Sequence, residues 1–594
     1  MKNLLPKVFV TILCFGAFFD LLAQTKIIAS LDFDPKINGF GFKNHKNDKY
    51  NWKDDIAADD LIRMFGVKAV CKSGDSAENC VLKAAARKWI EYYLEAMNIG
   101  HCEGIGVASL RINSGLPFKK RALSSNFQTG AKSPFNLRLD QPIENYIAYY
   151  WITQTFDEIT LPTKKTAERG PVELVKTLIA SMKDRKDTYL LGLKKYEKGR
   201  IFDGHAIAPF AVEDAGNQYK IHVYDNNYPG ETRYLYINKT GTQQWSYSSG
   251  SDPKAKPNYV GDITTKTLDL TATSWREGRC FDASFANDSD KAVGCGVETA
   301  MLNRPLFTAI SFQPSMPESD EDGEDAEFFL TGEGDMFVTD GDGKRIGYDP
   351  KTRRFYEEIE DGIAELLIGG LGLDLPHFTV PYQETEKPYT IVFSGRHLTE
   401  ESNLDFIFAA PGFTVGFDGI RLDPNETLTA TISSDGEEIT FTASGDGQTP
   451  EVFYAFDAEE EENASYITTI EGLELTANKT LNYDFDFENG KLFFSDNDGN
   501  EDNFDIELVR INADGSEQEY KQDNLDIGKA DKYEMDFGDW DGTGSMCFKD
   551  DEDGDGFDDE GCSEQPNEDD GTNEDETSSF LKSNRSQTLE MLFR

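Results

Sequence analysis

Apolar positions along this chain follow two periods, helical in part of its first third and strand-like over most of the remainder. In CVLKAAARKWIEYYLEAMNIG, ending at Gly100, the residues Val81, Ala84, Ala85, Trp89, Tyr92 and Leu94 recur at roughly helical spacing, and Asn98 and Gly100 form a stop. Glu103 to Ile112 predicts a second helix, and QPIENYIAYYWITQTFDEI and GPVELVKTLIASMKDR predict two more amphipathic ones. The period then changes. TYLLGLKKYE, at Thr188 to Glu197, reads as a strand, and GHAIAPFAVED and YKIHVYDNN read as two antiparallel neighbours joined by a turn at Asp214 to Asn217. Helices packed on such a sheet describe an α+β domain. After Tyr236 the strand signals thin out. A Pro- and acid-rich stretch from Pro314 to Glu327 reads as a linker. Beyond it, Phe328 to Tyr356 and then YTIVFSG, LDFIFAA, TLTATISS, EITFTAS, SYITTI, KLFFS and FDIELVRI predict one or two β-sandwich modules.

Charge divides the chain in the same place. The 594 residues carry 108 Asp and Glu against 59 Lys and Arg, a formal net charge of −49, which excludes unassisted binding to nucleic acid or anionic lipid. Residues 301–594 hold 73 acids and 19 bases, or −54, leaving 35 acids and 40 bases, or +5, for the first 300. The N-terminus, MKNLLPKVFVTILCFGAFFDLLA, has Lys2 and Lys7 before an apolar run from Val8 to Phe19 and small Ala23 before Gln24. That is the pattern of a secretory signal peptide, because roughly a dozen apolar residues fall short of the about 20 that a membrane span requires. The expected organisation is a multidomain chain: signal peptide 1–23, α+β domain 24–312, acidic linker 313–327, β-rich modules 328–545, an acidic segment 546–577 and a tail 578–594. A secreted or cell-surface location in an oxidising compartment is implied.

Export makes the cysteines informative. Beyond Cys14 there are seven, in close pairs Cys71 with Cys80, Cys280 with Cys295 and Cys547 with Cys562. Cys102 is left over, which makes it either a buried small hydrophobe or a reactive thiol. It stands at the expected start of the second helix, where the helix dipole favours a thiolate. A thiolate nucleophile needs a base, and the base needs an orienting group. Of the six histidines, His45 lies in a polar loop, His377 and His397 lie in the acidic rear, and His101 adjoins Cys102 on the chain. His222 falls in mid-strand and reads as solvent-facing. His205 opens one strand and Asp225 closes the next, so antiparallel pairing brings them together.

Gly100-x-Cys102 at a helix start, Gly204-His205 opening a strand and Asp225-Asn226-Asn227-Tyr228-Pro229-Gly230 closing the next one resemble the papain-like cysteine peptidase superfamily. The closer likeness is to the bacterial branch related to double-glycine leader peptidases, and it covers about residues 60 to 245. This resemblance implies a papain-like hydrolase domain acting on a peptide or protein substrate. It implies Cys102 as nucleophile, His205 as general base and acid, and Asp225, or alternatively Asn226, as orienter of the imidazole. The family's oxyanion Gln is missing between Ala96 and His101, leaving Asn98 or the backbone N–H of Cys102 as donor. An amide acyl transferase shares the same triad, and a non-catalytic, calcium-stabilised surface or adhesive protein is the alternative of a different class.

The acidic segment carries its own pattern. Asp551-Glu552-Asp553-Gly554-Asp555-Gly556-Phe557-Asp558-Asp559 repeats carboxylates at alternate positions with a glycine after the third, as a hard, many-oxygen cation requires. It resembles thrombospondin type 3 loops, which implies Ca2+ held by Asp551, Asp553, Asp555 and Asp559. Asp496 to Asp502 is a weaker second candidate.

Overall fold

The computed structural model of the chain describes residues 26–47, 52–197, 200–276, 280–287, 324–372, 374–382, 387–445, 447–458, 464–486, 489–496, 502–527, 532–538, 540, 542–544 and 546–550. The N-terminal segment, most of the expected linker and the Asp551 to Asp559 loop therefore lie outside the described residues. A helical N-terminal region is followed by antiparallel strands in several sheets, the arrangement of a multidomain α+β protein with a β-rich rear. Among the described residues no helix is long and apolar enough to cross a membrane.

The front is built around the helix Ala84–Ala96, which buries Trp89, Tyr92 and Tyr93. A short turn, Met97–Ile99, and Gly100 with φ +111° then redirect the chain into the helix Cys102–Asn113. That second helix is buried along nearly its whole length. Its glycines allow this: a β-carbon on Gly104 would overlap the backbone of Ile147 in the helix Gln141–Ile152, and one on Gly106 would lie 2.7 Å from Leu190. The adjoining antiparallel sheet runs, in spatial order, Leu268–Ala272, Tyr189–Glu197, Arg200–Asp214, Gln218–Tyr224, Thr232–Asn238, Trp245–Tyr247 and Tyr259–Gly261. The strand pattern thus continues past Tyr236, and Leu268–Ala272 returns to the far edge to pair with Tyr189–Glu197, a long-range contact that no local periodicity announces. The helix Pro171–Asp184 covers one face of this sheet through Leu174, Val175, Leu178 and Met182. Cys71 and Cys80 form a disulfide, and Cys280 is disulfide-bonded as well.

The rear is one β-sandwich, with nine described strands in one sheet and ten in the other enclosing a shared core rich in Phe and Tyr. The last residues of the acidic stretch, Asp325 to Glu327, belong to its first strand, Asp325–Leu330. Glu327 is buried where a linker carboxylate would be solvated. Trp89 Nε1 donates to it at 3.0 Å, the Ser284 hydroxyl at 2.7 Å, and the Tyr93 hydroxyl also donates, while His377 Nε2 stands 3.0 Å away. Burial works against this carboxylate, yet His377, Tyr93 and Trp89 together hold its pKa below the ordinary value. Tyr93 also stacks on Phe329, with centroids 5.1 Å apart and planes 2° from parallel. Residues of both halves, including Phe329, Leu367, Ile368, Ile407 and Phe453, share one apolar core with the helices of the front.

Removing Glu327 would leave several buried donors without an acceptor. Glu327→Ala should therefore lower the unfolding free energy by about 3–5 kcal/mol, the usual cost of breaking a buried charged network. An unchanged urea midpoint in that variant would contradict this role for the carboxylate.

Candidate active site

Four segments that are distant in sequence meet at the start of the helix Cys102–Asn113. Cys102 is its first residue and is completely buried. The strand Arg200–Asp214 brings His205, and the strand Gln218–Tyr224 ends one residue before Asp225. Because the two strands pair antiparallel, with Ala208 opposite Tyr224, His205 Nε2 reaches Asp225 Oδ1 at 2.9 Å. The other carboxylate oxygen accepts from the Tyr247 hydroxyl, and Oδ1 also accepts from the Asn227 N–H at 2.8 Å. Nδ1 of His205 lies on the Cys102 side of the ring.

Electrostatics couple the three groups. Burial alone would lower the His205 pKa, but the adjacent Asp225 carboxylate, with a further contribution from Cys102, raises it to about 10. Asp225 moves the opposite way: burial pushes it up, and the His205 charge and the Tyr247 and Asn227 hydrogen bonds bring it below the ordinary carboxylate value. Burial pushes the Cys102 thiol up, with His205 and the Ala206 N–H, 3.4 Å from the sulfur, opposing it. The sequence-based expectation of a thiol lowered by the helix start is thus outweighed by desolvation in this closed site.

Other residues expected near the nucleophile take different places. Asn226 is buried, but its amide donates to the Cys102 carbonyl at 2.8 Å and so holds the Cys102 backbone, not the imidazole. Asn98 is exposed in the Met97–Ile99 turn, outside the constellation. The side-chain amide that does enter is Asn44. Its Oδ1 accepts from the N–H groups of His101 and His45, at 2.7 and 3.0 Å, which aims Nδ2 into the site. His45, expected in a polar loop, is buried and stacks on His101 with centroids 4.6 Å apart. Burial, followed by the charge of His45, pulls the His101 pKa down to about 3, so His101 is a neutral packing group. His222 is half-buried against Glu213 at 2.9 Å, where solvent exposure was expected. Next to Cys102, Glu103 forms a buried pair with Arg276, which also donates to the Tyr150 carbonyl at 3.0 Å and so ties the helix start to Gln141–Ile152.

The fourth segment comes from the rear. The strands Ile363–Ile368 and Asp374–Pro381 form a hairpin whose tip enters the cleft beside Cys102. The carbonyl oxygen of Gly369 accepts from Asn44 Nδ2 at 2.8 Å and from the Cys102 N–H at 3.3 Å. Gln154 Oε1 accepts from the Ile368 N–H at 2.8 Å, and Asn227 Nδ2 donates to the Gly370 carbonyl at 3.1 Å. Neither Asn44 nor this tip carried a motif, since Asn44 and Gly369 lie 325 residues apart. Among the described residues no group of three or more His, Cys, Asp or Glu could hold a metal ion, and the expected Asp551, Asp553, Asp555 and Asp559 ligands lie outside them.

No family model, no curated protein and no solved structure matches this chain.

His205 gives a pH signature. Its pKa is higher folded than unfolded, so its contribution to stability is complete below about pH 6.5 and is lost as pH rises through about 10. His205→Gln should flatten the decline in melting temperature over that window. Parallel decline in variant and wild type would count against the pairing.

Proposed function

We propose that the chain is an exported cysteine hydrolase of the papain-like kind, cutting peptide bonds with Cys102, His205 and Asp225. The observation that carries this reading is the carbonyl of Gly369, which meets two convergent donors, Asn44 Nδ2 and the Cys102 N–H, beside the sulfur and Nδ1 of His205. An oxyanion develops on the carbonyl oxygen during acyl transfer, and donors aimed at that oxygen in a water-poor site stabilise it. Thiolate attack would give a tetrahedral adduct and then a thioester. His205 Nδ1 delivers its proton to the departing amine and then takes one from the water that hydrolyses the thioester. Asp225 orients the ring and supports its charge, while Asn226 fixes the Cys102 backbone and Asn44 takes the role that a Gln preceding the cysteine has in the family.

The signal-peptide pattern supports export, and the alternating carboxylates from Asp551 to Asp559 support a structural Ca2+ held by Asp551, Asp553, Asp555 and Asp559 in the rear. A native-state ligand of that kind raises the melting temperature of the protein that binds it, so a chelator should lower the melting temperature of the chain. Equal melting with and without chelator would end the calcium assignment.

Because the hairpin tip fills the cleft, hydrolysis of added peptides is best measured with residues 369 to 373 replaced by a two-residue Asn-Gly turn, which closes a hairpin without a protruding tip. That chain should hydrolyse peptide amides, with Cys102→Ala and His205→Ala abolishing turnover. Asn44→Ala should lower kcat/KM by about 10²- to 10³-fold. It should leave alkylation of Cys102 by iodoacetamide unchanged, because alkylation forms no oxyanion. A shortened-hairpin chain with an accessible thiol but turnover no greater than that of its Cys102→Ala form would refute the enzyme reading.

A further inference from the structure

The segment in the cleft is held as a substrate would be held. Its carbonyl at Gly369 occupies both oxyanion donors, its next peptide unit is fixed by Asn227 at the Gly370 carbonyl, and its preceding unit is fixed by Gln154 at the Ile368 N–H. Leu367 and Ile368 are buried before the candidate bond, whereas Leu371 and Gly372 are exposed after it. One side is thus anchored, and the other opens to solvent, as a leaving group requires.

Steric fit restricts the two central positions to glycine. A β-carbon on Gly369 would overlap the Ile99 backbone. One on Gly370, at φ +78°, would meet His205 Nδ1 and lie 2.9 Å from Cβ and 3.0 Å from Sγ of Cys102. The receiving walls are glycines too. A β-carbon on Gly204 would lie 2.8 Å from the Ile368 side chain, and one on Gly100 would lie 2.8 Å from Leu371 and collide with the Gly369 oxygen. The cleft and the tip are therefore complementary at the level of single methyl groups.

We propose that the hairpin tip is this enzyme's own first substrate, and that Cys102 cleaves the peptide bond between Gly369 and Gly370. The proposal rests on the cysteine hydrolase reading and names its substrate. The Cys102 thiol passes its proton to His205 Nδ1 as its sulfur bonds to the Gly369 carbonyl carbon; that proton then passes to the Gly370 nitrogen, and the C–N bond breaks to leave a Gly369 thioester and a new amino terminus at Gly370. Water, deprotonated by His205, then attacks the thioester, releasing the Cys102 thiolate and a Gly369 carboxylate. The reaction is intramolecular, so its rate does not depend on protein concentration. The two fragments remain together because strands on both sides of the cut alternate in the same sheets: Asp325–Leu330 pairs with Asp374–Pro381 and with Ser402–Ala410.

The test uses the full chain, purified and incubated at two concentrations, with fragments tracked by denaturing electrophoresis, intact mass and amino-terminal sequencing. Wild type should yield two fragments, the second beginning at Gly370, with the same half-time at both concentrations and a single particle on native gel filtration. Cys102→Ala and His205→Ala should stay in one piece. A wild-type chain that remains intact overturns the proposal, as does the same cut appearing in Cys102→Ala. If wild type stays intact while the shortened-hairpin chain hydrolyses added peptides, self-cleavage alone has failed. If both are inert, the hydrolase reading falls with it.

Discussion

The carboxylate of Glu327 is the tie on which the arrangement of the molecule depends. It has left water for a site enclosed by an indole N–H, two hydroxyls and an imidazole, drawn from the helix Ala84–Ala96, from Ser284 and from the sandwich itself. A buried charge is costly unless each acceptor is used, so this set of donors specifies one docking position and penalises the others. Both partners of the tie lead directly into the site. The helix that supplies Trp89 and Tyr93 continues through Met97–Ile99 into Cys102. Glu327 sits opposite Thr379, which sits opposite Ile363, the first residue of the strand leading to the cleft.

Electrostatics within the cleft suit an uncharged visitor. The rear half carries a formal −54, yet the stretch it inserts, Leu366 to Leu371, has no ionisable side chain. An acid there would face the buried Asp225 carboxylate beside the Cys102 sulfur. The strongly acidic composition of the rear therefore stays out of the cleft, and the part that enters beside Cys102 is neutral and small.

The range of each interaction decided whether the sequence disclosed it. Cys102 at a helix start, and the meeting of His205 with Asp225 across adjoining strands, were readable because a turn and an antiparallel pair fix their relation over 20 residues, although the strand Arg200–Asp214 begins five residues before His205 and does not open at it. Asn44 was not readable: its position is set by N–H groups of His45 and His101, the latter 57 residues away, and no periodicity encodes that. Asn98 was favoured because it is near Cys102 on the chain, and it faces solvent. Glu327 passed for linker because acids usually seek water, and only the tertiary donors around it reverse the preference. The return of Leu268–Ala272 to the sheet edge, and the reach of the hairpin into the front, are long-range pairings of the same unreadable kind.

The ladder between Ile363–Ile368 and Asp374–Pro381 acts as a ruler. Ile368 lies five positions beyond Ile363, which is in register with Thr379 and hence with the Glu327 tie, and a strand advances about 3.3 Å per residue, so the tip is held about 17 Å from its anchor. Strand faces alternate with each residue, so inserting or deleting a single residue in that span would do more than lengthen or shorten the reach. It would turn the Gly369 carbonyl away from Asn44 and present a side chain where only glycine fits. The dimension that defines this cleft is therefore stored outside it, as a residue count in a strand of the opposite half of the molecule.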